Sequence, residues 1–213
     1  MTKSKYRQSG VLVWFLDNDL QKSAEYLTNA AFAKTIDGCF SVLVTAVLHF
    51  SGIRNKKMYE YAFSRDRRDE TMHRLFPSWP FRKTPQLKYY TNRTAKWARM
   101  CREHFDYVKK YFDVLLDEYE YRFGRRHKLA NFSEWVDEYM PQKVPYGNLK
   151  HVSLPWKSLK LKFRRKDVIE GYRLQYIDQF LWSDPIAAYG ASDRDVPDFV
   201  VKYFHLDTAS MIT

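Results

Sequence analysis

Asp17 and Asp19 stand directly after an apolar run, VLVWFL, at residues 11–16. Two carboxylates at such a point can serve as a general base, bind a cation or orient an amine. Each can equally cap a following helix, because Asp is a favoured N-cap residue. A second group, Glu118, Tyr121, Arg122, Arg125 and His127, closes a long amphipathic stretch. Glu118 and Arg122 have helical i,i+4 spacing and share one face. Read as chemistry, Arg122 is a bidentate clamp for phosphate or pyrophosphate, and Glu118 orients it or acts as a base. Read as structure, the two are one weak ion pair on a solvated helix. On the clamp reading, Arg122→Lys is expected to cut turnover and leave folding little changed.

Tyr172, Arg173 and Tyr176 form a third group. The two tyrosines share a helix face and read as core, while Arg173 points elsewhere and can reach a phosphate. Lys162, Arg164, Arg165 and Lys166 surround Phe163. Basic residues interleaved with an aromatic suit a nucleic-acid groove, and a solvated charge run is the equal alternative. The six histidines are scattered and none has metal-ligand spacing to Cys or a carboxylate. Glycine-rich phosphate loops, a Gly-x-Ser-x-Gly elbow and CxxC are all missing, so neither cofactor nor metal is expected.

The elements that must hold these groups follow from periodicity. The chain has 213 residues, 45% hydrophobic and 17% aromatic, with few Gly and Pro. One domain with a full core is expected. Residues 1–10 read as a flexible basic arm and residues 11–213 as a single domain, with an insertion-like region at about 51–90. The fold class is mainly α: a single-domain helical protein with a short buried N-terminal strand (residues 11–16) and few other strands. A helix is expected from residue 20 to about 50, with a break at Gly38 left open. The longest one spans about 93–126, where Trp97, Cys101, His104, Val108, Phe112, Leu115, Tyr119 and Phe123 repeat every three or four residues. Gly124 suits its C-terminal cap. A short helix covers 131–140 with Ser133 as cap. Residues 159–166 are either a strand or a basic connection. Asp167 caps a last long helix that runs to about residue 182.

The formal net charge is +11, which favours polyanionic partners. Cys39 and Cys101 form no paired motif and read as free thiols of a reducing compartment. No apolar run approaches the roughly 20 residues that span a bilayer, so no membrane partner is expected and the location reads as cytoplasmic.

Three blocks resemble the phage amino acid:DNA transferase family of thymidine hypermodification, some of whose members are described as pyrimidine-dimer glycosylase-like. They are FLDNDLQKSAEYL followed by Lys34; TAKWARMCREHFDYV through LLDEYEYRFGRRHK, residues 94–128; and YRLQY with the later VPDF. The middle block matches over the most positions. The resemblance implies a bacteriophage DNA-modification enzyme working in the infected host cell. An amino acid amine, for example glycine, would displace pyrophosphate from a 5-pyrophosphoryloxymethyl pyrimidine in DNA. Its partners would be duplex DNA with modified pyrimidines and a small amine or amino acid. Mapped onto this chain, Glu118 or Asp17 serves as base, and Arg99, Arg122, His127, Lys128 and Arg173 serve the phosphates. Asp19, Lys34, Trp97, Tyr121 and Tyr172 complete the substrate contacts, and Lys162, Arg164, Arg165 and Lys166 bind DNA.

The chain departs from the family where its first helix carries Cys-Asp-Lys-His: here stand Thr28, Asn29, Ala30 and Ala31. The family's Asp-Pro is Asp19-Leu20, and a histidine expected before the Trp helix is Asn92. Two alternatives stay open. One is a noncatalytic DNA-binding or interaction protein. The other is a glycosylase or lyase that uses the amine of Thr2, exposed when Met1 is removed.

Overall fold

The computed structural model describes residues 11–62, 64, 70–71, 74, 90–139, 144–147, 154–181, 184–190 and 194–205. The expected basic arm, Thr2 and most of the insertion-like region lie outside the described residues. The chain is mainly helical, and among the described residues it holds no strand. In chain order the helices are α1 (Leu20–Glu25), α2 (Asn29–Phe50), α3 (Lys56–Ala62), α4 (Arg93–Ala98), α5 (Arg102–Phe123), α6 (Ala130–Tyr139), α7 (Val168–Phe180), α8 (Pro185–Gly190) and α9 (Asp198–Phe204). Single 3-10 turns occupy Trp156–Ser158 and Leu161–Phe163.

The expected N-terminal strand is the first correction. Residues 11–16 are buried, apart from half-buried Leu12, but pair with no strand among the described residues. Side chains satisfy their backbone instead. The Tyr111 hydroxyl donates to the Trp14 carbonyl at 2.8 Å. The Leu16 amide donates to Ser23 Oγ at 2.8 Å, and Arg173 Nε donates to the Leu16 carbonyl at 2.7 Å. A buried run needs partners for its polar backbone, and a ladder is only one source of them. Apolar periodicity reports the burial and says nothing about who supplies the hydrogen bonds.

Gly38 explains how this segment reaches the core. A Cβ placed there would stand 1.8 Å from the Leu12 carbonyl oxygen. Glycine in mid-helix therefore lets the segment press against α2, and α2 runs through Gly38 without a break. Around that contact α2 is buried on all sides from Val42 to Leu48. By length and composition α2 could cross a membrane, with mean hydropathy 1.6, yet 78% of that window is buried inside the molecule. Its hydroxyls stay local: Thr35 and Thr45 donate to the carbonyls of Ala31 and Ser41 at 2.8 and 2.6 Å.

The long helix expected at 93–126 is two helices. Asn92 caps α4 through the amides of Thr94 and Ala95. At the break the Trp97 carbonyl accepts from the Met100 amide at 3.1 Å and from His104 Nδ1 at 3.0 Å. The His104 ring thus takes the place of the next helical amide, and α5 restarts at Arg102. Gly124, at φ 61°, ends α5 with its amide on the Glu120 carbonyl at 2.8 Å, as the sequence implies. α5 packs along α2, with α1, α4 and α6 against the pair.

Two smaller expectations also change. Ser133 lies inside α6 rather than at its cap, and its hydroxyl donates to Asp113 on α5. Residues 159–166 form no strand: the Leu161–Phe163 turn makes them a basic connection. Asp167 caps α7 on the Ile169 amide at 2.9 Å. Tyr172, Tyr176 and Phe180 of that helix surround Trp14, with ring centroids 6.4, 5.6 and 5.6 Å away.

The close approach at Gly38 makes a signed prediction. Gly→Ala in mid-helix ordinarily stabilises by up to about 1 kcal/mol. Here Gly38→Ala should destabilise by about 3 kcal/mol, because Leu12 must move out of a packed core. Urea titration followed by circular dichroism measures this. A neutral or stabilised variant would mean that the segment shifts off α2 without penalty.

Candidate functional site

Glu118 faces inward from α5 and is 1% exposed. Its Oε1 accepts from Arg122 Nε at 2.6 Å and from Arg194 Nε at 3.0 Å, and its Oε2 accepts from Arg194 Nη2 at 2.6 Å. The expected helix pair is therefore real, but it is neither solvated nor alone. Arg122 donates further to the carbonyls of Leu27, Ala24 and Glu25 at 2.7, 3.0 and 3.1 Å and to Asn29 Oδ1 at 3.3 Å. All five of its N–H bonds end on this chain. Its guanidinium also lies 4.5 Å from the Phe32 ring centroid. Arg122 thus ties together the carbonyls at the junction of α1 and α2. In this arrangement it has no donor left for a pyrophosphate, and Glu118 is closed off from solvent with both oxygens already accepting.

Arg194 is the partner that the sequence did not reveal. Glu118 beside it holds its guanidinium above the ordinary range. It covers the carboxylate from a segment 76 residues further on and stacks 4.1 Å from the ring of Tyr121. Spacing along one helix cannot show such a partner. Position 29, where the resembled family has an acid, carries the Asn29 amide on Arg122. At position 28 the Thr28 amide donates to the Tyr176 hydroxyl oxygen at 2.8 Å.

Asp17 and Arg173 do meet. Arg173 Nη2 donates to Asp17 Oδ2 at 2.9 Å, with side chains 31% and 23% exposed. Arg173 also lies 5.0 Å from the Phe199 ring. Burial, with Asp17 adding to it, pushes the Tyr107 hydroxyl up to about 12. Asp19 caps α1 on the amides of Gln21 and Lys22 at 2.8 and 3.3 Å, the structural role the sequence allowed.

The remaining expected residues are dispersed. Trp97 is buried, stacked on His104 at 4.3 Å. Arg99 donates to the Tyr90 carbonyl at 2.9 Å and lies 4.1 Å over that ring. Tyr172 is core, its hydroxyl 2.7 Å from Ser158 Oγ. Lys34 is exposed and 4.9 Å from the Phe180 ring. Lys128 is exposed. His127 Nδ1 accepts from the Leu129 amide at 3.1 Å, and its ring meets Tyr119 at 4.5 Å. Burial first, then Lys128 and Arg125, lower its pKa below 6.5.

The basic run holds together as a face. Lys162 pairs with Asp178 at 3.0 Å and lies 4.4 Å over Phe163. Arg165 donates to the carbonyls of Lys162 and Arg164, and Lys166 is exposed. Arg164 Nη2 reaches the Lys157 carbonyl at 3.4 Å, where Arg93 Nη1 also donates at 2.6 Å. The Arg164 guanidinium and the Lys157 ammonium lie 4.9 and 5.9 Å from the ring of Trp156. Among the described residues, no carboxylate pairs with Arg93, Lys157 or Arg164. Arg93, Trp156 and Lys157 were missed because Arg93 is 64 residues from the carbonyl it meets.

Nothing among protein-family models, curated proteins or solved structures matches the chain.

The Arg122 network reverses the expectation for Arg122→Lys. A lysine keeps the charge but offers one point of donation in place of the fork. Arg122→Lys should therefore lower stability by about 3 kcal/mol, as breaking a buried network does. Urea unfolding measures the loss, and an unchanged midpoint would return Arg122 to the helix surface. The histidines add a pH dependence. Burial lowers His104 and His127 below 6.5, so folding favours their neutral forms. This contribution is full above pH 6.5, the ordinary histidine value, and is lost as pH falls through the lowered values. The urea midpoint should drop between pH 7.5 and 5.5, and His104→Gln should flatten that drop. A midpoint that rises over the interval would contradict the burial argument.

Proposed function

We propose that this chain is a DNA-binding protein of the hypermodification-transferase type, which holds the phosphate backbone on the face of Arg93, Lys157, Arg164 and the 160–166 run. The observation that carries this reading is the convergence of Arg93 and Arg164 on the Lys157 carbonyl beside a Trp156 that is 43% exposed. Three cations held together without a carboxylate repel one another, and an arriving anion relieves that repulsion. The exposed aromatic among them suits a base or sugar next to a phosphate. The net charge of +11 acts in the same direction at longer range.

The contact between Asp17 and Arg173 favours a second reading, in which the chain is a transferase. In that reading the amine nitrogen attacks the exocyclic carbon, the carbon–oxygen bond breaks, and pyrophosphate leaves toward Arg173. Asp17 takes the proton released from the amine. Glu118 and Arg122 then position the surrounding helices and touch no substrate. Mass spectrometry of nucleosides from pyrophosphorylated phage DNA, incubated with the protein and candidate amines, tests this. Asp17→Asn should abolish an aminated product, and no product with any amine leaves the binding role alone.

The binding reading predicts a salt dependence. Each phosphate contact contributes about 0.9 to the slope of log affinity against log salt. Arg93→Gln, Lys157→Gln and Arg164→Gln should each lower the slope for duplex DNA by about 0.9 and weaken different sequences evenly. Lys110→Gln, at an exposed position on α5, should leave both unchanged. Fluorescence anisotropy at several salt concentrations decides it: no binding at low salt, or binding indifferent to salt, refutes the proposal.

A further inference from the structure

Next to the basic face a cavity of about 390 Å³ opens between the Leu161–Phe163 turn, α7 and α9. Phe163, Leu174, Ile177 and Phe204 give it apolar walls, and Phe163 and Ile177 are 8% and 3% exposed. Lys162, Arg165 and Tyr203 stand at its open side, where Tyr203 is 52% exposed. Its size falls within the roughly 300–1,000 Å³ of ordinary ligand pockets. Its chemistry is divided, with aromatic and aliphatic walls below and a cationic edge above. Among the described residues Arg165 donates only to main-chain carbonyls, so its charge has no carboxylate partner.

We infer that this cavity receives one unpaired nucleobase of a bound strand. The inference rests on the DNA-binding reading and adds where the strand places a base. A nucleobase is flat, has a π-face that stacks on aromatic rings, and carries a phosphate on each side. Tyr203 and Phe163 supply the rings, and Lys162 and Arg165 supply exposed cations for the phosphates on either side. Asp178, also at the cavity, holds Lys162 through one carboxylate oxygen, and its other oxygen can accept from a base N–H. The two cations belong to the run that continues into Arg164 and the Trp156 cluster. A strand lying along that face therefore passes the mouth of the cavity. An intact duplex keeps its bases stacked and cannot enter, whereas a base already outside the stack enters without the unpairing penalty.

Two fluorescein-labelled probes test this: an intact duplex, and the same duplex with one unpaired thymine bulge. The protein should bind the bulged probe on the order of tenfold more tightly, the size of one aromatic–base stack. Tyr203→Ala, at an exposed position, should erase that preference and leave the intact-duplex affinity and its salt slope unchanged. Leu174→Trp, which fills the cavity, should erase it too. Equal affinity of the unmodified protein for both probes, or a preference that survives both substitutions, overturns the cavity assignment and leaves phosphate binding standing. Failure to bind either probe overturns the DNA-binding reading and this inference with it.

Discussion

Glu118 is a carboxylate with almost no access to water, and a buried charge persists only when opposite charge and hydrogen bonds replace its hydration. Arg122 and Arg194 do this, and the requirement spreads outward from them. Arg122 bonds Glu118 while lying across the end of α1, where it donates to the carbonyls of Ala24, Glu25 and Leu27. That junction lets the chain turn from α1 into α2 within three residues and brings Thr28 to Tyr176. Arg194 adds the other half of the compensation and ties the segment before α9 to α5. One ion cluster thus joins both ends of the described chain to its middle. Replacing Glu118 leaves the buried Arg122 guanidinium without its carboxylate, which is more damaging than never having placed the pair there.

The positive charge of the chain divides into two populations. Arg122, Arg173, Arg194 and Lys109 are matched to carboxylates, and they organise the interior and its margins. Arg93, Lys157, Arg164 and Arg165 meet carbonyl oxygens and aromatic rings instead. Carbonyl contacts fix the direction of a guanidinium without cancelling its charge. The second population is therefore oriented and still attractive to anions, a combination that a freely solvated lysine tail lacks. It concentrates on the 3-10 turns and the start of α4, away from Glu118.

Much of the helical layout was legible. The stripe from Val108 to Phe123, the Gly124 cap and the Asp167 cap are local consequences of side-chain spacing, and they occur where the sequence implies. The break between α4 and α5 was not legible, because it depends on a histidine ring reaching back to the Trp97 carbonyl. The strand reading of residues 11–16 failed for a similar reason: burial was visible, but the hydroxyls of Ser23 and Tyr111 that complete the backbone were not. At the candidate site the Glu118–Arg122 spacing was readable, whereas its burial and Arg194 were not. Asp17 and Arg173 were each singled out, but their contact joins residues 156 apart in sequence. Residue type suggested what each group can do, and only the tertiary fold decided which of those capacities is already occupied.

The extended segment at residues 11–16 also sets a timetable for synthesis. Its backbone is completed by Tyr111, 97 residues beyond Trp14, and by Arg173, 157 residues beyond Leu16. At roughly 5–20 residues per second, about 8–30 s separate the emergence of VLVWFL from that of its last partner. During that interval α2 and α5 can cover part of the segment, but Trp14 still lacks the rings of Tyr172, Tyr176 and Phe180. A nascent chain of this protein therefore carries an incompletely enclosed Trp14 until α7 arrives to surround it.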